Sequence, residues 1–278
     1  MWWFICITIL VHFTGSVIME IRKGLTFDDV LLVPQHSTIL SRNDISLFVN
    51  LGKGINLGIP IISANMKDVT ETAMAQTISS LNGLPILHRF TSLTNQLMMF
   101  KESNTNNVGC SIGVKKHDYE NACTFVDAGC SVLCVDVAHG DHDLSIKMVE
   151  RIAKNHTHIL LIAGNVATAG GARRLYNAGA DVIKVGIGPG SLCTTRIETG
   201  NGVPQMTALF DVFNESVNSF NKNRKFKIIA DGGIRNAGDI VKALCFSDAV
   251  MIGSLLAGTD ETPGNIELDA TTGHLFKQ

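Results

Sequence analysis

From residue 59 onward the chain repeats one pattern: a short apolar run, a glycine or polar break, then a stretch with helical spacing. The runs are residues 59–64, 84–87, 108–114, 131–137, 159–163, 182–187, 227–230 and 249–253. Each is contiguous and mostly apolar, as a strand buried on both faces must be. Most are spaced by just over twenty residues, room for one helix between neighbours. A strand that returns parallel to its predecessor needs such a crossover. Eight βα units of this kind close a single-domain α/β fold, the TIM (β/α)8 barrel. A chain of 278 residues, 45% hydrophobic, has the size and apolar content for one such domain. Helical spacing is expected over 71–80, 117–128, 144–154, 169–177, 206–220 and 237–244, with Gly179 just past a helix end at C′.

The one long gap between runs lies after the sixth and contains the cysteine loop, read with the end of that run as GIGPGSLCTTRIETGNGVPQ. Gly186, Gly188 and Gly190 around Pro189 support a tight loop at the C-terminal end of a strand, where barrels place their chemistry. Amides exposed in succession on such a loop make a concavity suited to phosphate. Cys193 follows among the hydroxyls of Ser191, Thr194 and Thr195. As a thiolate it is a nucleophile; the bland alternative is a structural cysteine in a turn. His139 and His142 stand beside Asp141 and Asp143, but no third histidine or cysteine is spaced to complete a metal site.

The loop GIGPGSLCTTR resembles the catalytic cysteine loop of the IMP dehydrogenase / GMP reductase family. So do LTFDDVLLVP at 25–34, IISANM at 61–66, IAGNV at 162–166, IIADGGIR at 228–235 and MIGSLLAG at 251–258. The resemblance implies that Cys193 attacks C2 of a purine to form a thioimidate, with Thr195 relaying a proton. It implies that Gly190, Ser191, Gly232, Gly233, Gly253 and Ser254 hold the 5′-phosphate, and that Asp231 accepts from the ribose hydroxyls. The carbonyls of Gly188, Gly190, Cys193 and Arg196 resemble ligands of a potassium ion. On the cofactor side, Arg89, Asp136, Val137, Ala138, Ile187 and Gly188 match nicotinamide-cofactor positions. Ser41 and Arg42 match a pair that reaches cofactor on a neighbouring subunit, which implies a homo-oligomer, in relatives a tetramer. The chain lacks a G-x-G-x-x-G turn, so the cofactor is expected in the barrel mouth.

Two activities share this machinery. The resemblance favours NADPH-dependent reduction of GMP to IMP and ammonia on three grounds. No regulatory domain is inserted between Arg89 and Val108, the fourth run ends DVAHG, and the second ends HRF. The alternative is oxidation of IMP to XMP with NAD, which LTFDDVLLVP, TGNGVPQ and ADGGIR resemble. Relatives continue past the position of Gln278 into a base-contacting segment, a flap and a last helix. The expected barrel therefore lacks its last helix, and an inactive nucleotide-binding relative is a further alternative. CFSD at 245–248 also departs from the family pattern, without the glycine expected at that helix end.

The net charge of −2 offers no global field for nucleic acid. Seven scattered cysteines do not form a disulfide framework, and all but Cys193 are expected as buried structural thiols, consistent with a cytoplasmic protein. Residues 1–18 are apolar but shorter than the roughly 20 needed to span a bilayer. They read as an upstream extension or misassigned start, with a membrane anchor or targeting peptide as the alternative; the catalytic domain is expected over 19–278.

Overall fold

The computed structural model describes residues 5–8, 20–103, 105, 107–217, 225–268 and 275–277. All eight expected runs become strands: β1 (Ile61–Ser63), β2 (Leu84–Leu87), β3 (Gly109–Ile112), β4 (Val132–Asp136), β5 (Leu160–Val166), β6 (Val182–Val185), β7 (Lys227–Asp231) and β8 (Ala249–Ile252). Each pairs in parallel with the next, and β8 closes on β1 through Val250–Ile61, Met251–Ile62 and Ile252–Ser63. The first run begins two residues later than expected. Proline 60 has no N–H for the ladder, though its carbonyl accepts from Val250 at 2.9 Å.

Side chains alternate along each strand, and the two sets enter different cores. Ile62, Leu84, Val132, Leu160, Ile162, Val182, Ile229 and Met251 fill the barrel interior. Leu87, Cys110, Leu133, Leu161, Ile183, Val185 and Ile228 face the helices outside. A hairpin of Val49–Gly52 and Ile55–Leu57 was not foreseen from the sequence. It inserts Leu51, Ile55 and Leu57 among the interior side chains and so plugs the N-terminal end.

The helices are α1 (Thr72–Ser80), α2 (Leu93–Ser103), α3 (Lys116–Asp127), α4 (Asp143–Asn155), α5 (Ala169–Asn177), α6 (Thr195–Thr199), α7 (Gln205–Ser216) and α8 (Ala237–Leu244). Two were not expected. α2 lays Leu93, Leu97 and Phe100 only partly buried against the core, its fully buried residues are Gln96 and Ser103, and Gln96 Nε2 donates to the Ser111 carbonyl at 2.8 Å. α6 is only five residues long. The expected helix 206–220 ends at Ser216; positions 218–220 lie outside the described residues. Gly179 takes φ +107° after α5, as expected of C′. α8 ends without a left-handed residue: Cys245 stays right-handed, Ser247 Oγ donates back to the Ala243 carbonyl, and Phe246 packs edge-on against Phe210 and Phe213.

Apart from the strand Ile5–Thr8, which pairs with Glu20–Lys23, the apolar extension 1–18 lies outside the described residues. Among the described residues no helix follows β8, and none is long and apolar enough to cross a membrane. Leu275–Lys277 instead pairs with Ile266–Leu268; His274 and Gln278 lie outside the described residues.

Candidate active site

The loops after β6 and β7 meet backbone to backbone. Gly186 adopts φ +149°, and a Cβ there would stand 2.0 Å from the Asp231 carbonyl oxygen. Gly232 adopts φ +90°, with Pro189 Cγ 2.9 Å from where its Cβ would be. Only glycine allows both the dihedral and the approach. Two guanidinium bonds pin the cysteine loop from behind: Arg196 Nε donates to the Ile187 carbonyl at 3.1 Å and Nη2 to the Val203 carbonyl at 2.7 Å. Cys193 closes the turn with its N–H on the Gly190 carbonyl at 3.0 Å. Its side chain is exposed, and Sγ donates to Thr195 Oγ1 at 3.2 Å.

These loops wall a cavity of about 630 Å³ at the C-terminal end of the barrel. Cys193, Gly190, Ser191, Asp231, Gly232, Gly233, Gly253 and Ser254 all line it. Thr195 does not, and reaches it through Cys193. The lining also includes Met66, Asp68 and Gln205, and Asp28 and Arg235, which form an exposed ion pair.

The cofactor-side residues divide. Arg89 Nε donates to the Asp136 carbonyl at 3.1 Å and lies 4.0 Å from its carboxylate, while its guanidinium covers Phe90. Ala138 is exposed beyond Asp136 and Val137, at the same end of the barrel. Ile187 and Gly188 are half-buried in the cysteine loop. Ser41 and Arg42 do not line their own chain's cavity; Ser41 caps a short exposed 3-10 helix, accepting from Asn43 N–H. Of the carbonyls expected from the resemblance to face a cation, those of Gly190 and Arg196 already accept from the Cys193 and Gly200 amides, which leaves each a second lone pair. His139 and His142 do not pair as ligands. His142 caps α4, and Asp141 binds Arg174 through both oxygens.

The sequence reading missed what joins the two halves. Lys184 is an inward-facing residue of β6, in step with Val182, and is 2% exposed. Its Nζ donates to Asp136 Oδ1 at 2.9 Å and to Asp231 Oδ2 at 2.8 Å. Asn165 Nδ2 adds a bond to Asp231 Oδ2 at 2.8 Å and one to the Gly186 carbonyl at 2.7 Å. Among the described residues Asp231 Oδ1 takes no hydrogen bond. Burial alone would lower the Lys184 pKa, but the charges of Asp136 and Asp231 hold it well above its ordinary value. Burial pushes the Asp136 carboxyl up, yet Lys184, Asn65 and Arg89 outweigh it and keep it below the usual range. Cys134, beneath the same cluster, has its thiol pushed up by burial to about 12 and is no rival nucleophile. The signal was present in VIKV: a lysine on the inward parity of a strand otherwise fully apolar.

Cys110 and Cys130 are buried as expected, but Cys123 is half-buried and Cys245 is exposed at the end of α8. The burial expectation fails there because α8 ends at the surface. Cys6 carries no described side chain.

Comparison with known proteins agrees with this geometry. The IMP dehydrogenase / GMP reductase domain matches residues 24–278. Inosine-5′-monophosphate dehydrogenase of Cryptosporidium parvum is 40% identical over 303 aligned residues, covering 92% of this chain and 74% of the relative. GMP reductase of Leishmania major is 30% identical, covering 88% and 77%. The crystal structure of inosine 5′ monophosphate dehydrogenase from Legionella pneumophila superposes with a TM-score of 0.84 at 40% identity, over 92% of this chain and 76% of that one. GMP reductase C318A from Trypanosoma brucei does so at 0.85 and 28%, over 93% and 86%. A closed parallel barrel with an exposed cysteine over a glycine-lined cavity, matched from residue 24 to the end, belongs to the IMP dehydrogenase / GMP reductase family of oxidoreductases.

Proposed function

We propose that the chain reduces GMP to IMP and ammonia with NADPH, through a covalent adduct on Cys193. The observation that carries the covalent step is the exposed Cys193 thiol on the same cavity as Asp231, Gly232 and Gly233. The amides after β7 and β8 cradle the 5′-phosphate, with Ser191 and Ser254 as hydroxyl donors. Asp231 Oδ1 accepts from the ribose. The Cys193 thiolate bonds to C2 of the purine; the C2–N bond breaks and ammonia departs with a proton passed through Thr195 Oγ1. The product is a thioimidate. A nicotinamide bound at this mouth would supply hydride to C2, and breaking of the C–S bond would then restore the Cys193 thiolate. The half-exposed Arg89 beside Asp136 suits a phosphate-bearing cofactor, and Val137, Ala138, Ile187 and Gly188 complete that wall.

A potassium ion fits the carbonyls of Gly188, Gly190, Cys193 and Arg196, hard donors for a hard cation. It would fix the shape of the cysteine loop. The protein assembles as a homotetramer in which Ser41 and Arg42 serve a neighbour's cofactor, and it acts in the cytoplasm.

Val137, directly after Asp136 where dehydrogenases usually carry serine, and Arg89 after His88 support the reductive direction. A second reading, oxidation of IMP to XMP with NAD, is supported by the 40% identity to the dehydrogenases of Cryptosporidium parvum and Legionella pneumophila against 30% and 28% to the two reductases. Following nicotinamide absorbance with GMP plus NADPH, and separately with IMP plus NAD, discriminates them. Turnover in the first mixture alone is expected; turnover in the second alone overturns the reductive direction.

A further inference from the structure

Gln205 opens α7 behind the loop that carries Cys193. It is a polar residue in an enclosed place, 2% exposed. Its carboxamide nitrogen donates to the Val185 carbonyl at 2.9 Å and to the Asp231 carbonyl at 3.2 Å. An NH2 group has two hydrogens, one for each acceptor. The flipped carboxamide would set oxygen against two carbonyl oxygens, so the network fixes its orientation. The carboxamide oxygen is buried and has no partner among the described residues. Burying an unpaired acceptor is unfavourable, and Gln205 carries that cost on the cavity wall where its nitrogen is used twice.

What the two bonds hold is specific. The ladder between β6 and β7 ends at Val185–Ala230. One step further the chains part, β6 into the cysteine loop and β7 into the loop of Gly232 and Gly233. At that step the Val185 and Asp231 carbonyls share one donor, and Gly186 has no room for a side chain. Gln205 extends the tie between the strands past the end of the sheet.

We propose that Gln205 is a positioning residue: it locks the base of the Cys193 loop to Asp231 and so sets the distance between the nucleophile and the sugar of the bound nucleotide. The role of that distance rests on the functional reading above; the locking itself does not.

Gln205→Met keeps the length and removes both polar atoms, including the unpaired acceptor, so the thermal midpoint should move little. Amide hydrogen exchange over residues 186–193 should quicken by about 10-fold or more while β1 to β5 stay unchanged. With the full chain, kcat/KM should fall by about 100-fold, as a displacement on the order of 1 Å costs. Gln205→Glu sets a carboxylate against the two carbonyls, and its protonated form restores one donor. Its kcat/KM relative to wild type should therefore rise as pH falls from about 7 toward about 5. Unchanged exchange over 186–193 in the Met variant overturns the proposal. So does a large fall in thermal midpoint with kcat and KM unmoved. Should the Met variant not fold, the Glu variant carries the same exchange measurement. If the wild-type chain turns over neither nucleotide, the functional reading fails, and the exchange result alone decides whether the lock exists.

Discussion

The two ends of the barrel are built from the same eight strands and obey opposite rules. At the N-terminal end, inward positions are Leu84, Val132, Leu160 and Val182, sealed by Leu51 and Leu57 of the hairpin. At the C-terminal end, the inward positions of β4, β6 and β7 are Asp136, Lys184 and Asp231. One end gains stability by excluding water. The other buries an ammonium between two carboxylates, an arrangement that is weak evidence for stability. Strand alternation carries each chain from one regime to the other within four or five residues. The lesson is a division of labour along the strand: the near end holds the fold, and the far end holds charge where a ligand can meet it.

Four measurements break or sharpen that contrast. Cys193→Ala should abolish turnover, by roughly 10³-fold or more, while urea unfolding stays near wild type, because the thiol is exposed and supports no core. A loss of stability to match would erase the distinction between the two ends. Lys184→Met leaves two carboxylates without their shared cation and should cost about 3–5 kcal/mol in urea unfolding. It should also weaken nucleotide binding, because Asp231 loses a hydrogen-bond donor that orients it. Leu57→Ala should cost about 2–5 kcal/mol through the cavity it leaves, yet leave the KM of the folded fraction unchanged; a shifted KM would mean the plug and the mouth are coupled.

The smallest effect is in pH. The Asp136 carboxyl is held below its ordinary value in the fold, so its contribution is complete above the unfolded value of about 3.9 and lost as pH falls through the folded value. Lys184 is held above its ordinary value, so its contribution is complete below about 10.4 and lost as pH rises through the folded value. Stability from the cluster should therefore be flat between those limits and fall on either side. In Asp136→Asn the acid-side fall should shrink; an unchanged acid limb would remove Asp136 from the account.

How far the sequence could be read follows the same division. All eight strands were legible, because a strand buried on both faces is a contiguous apolar run with a break at its end. The cysteine loop and the glycine pairs were legible because glycine at a close backbone approach leaves a mark in composition. α2 was not, since its apolar residues Leu93, Leu97 and Phe100 are only partly buried and its fully buried positions are the polar Gln96 and Ser103. The plugging hairpin was hidden because each of its strands offers only one or two buried side chains around a glycine turn. Lys184 and Gln205 were visible as letters but not as partners. Their meaning depends on which strand ends the closed barrel brings together, and no spacing within one segment reports that.

The sealed ammonium of Lys184 has a practical consequence. Its side chain is 3% exposed, whereas those of Lys53, Lys225 and Lys227 are 38–39% exposed. Amine-directed reagents, whether for surface attachment, fluorescent tagging or cross-linking, should react with those outer lysines and pass over the one whose charge organises the mouth. Coupling through the outer lysines should leave the cluster of Lys184 with Asp136 and Asp231 chemically untouched.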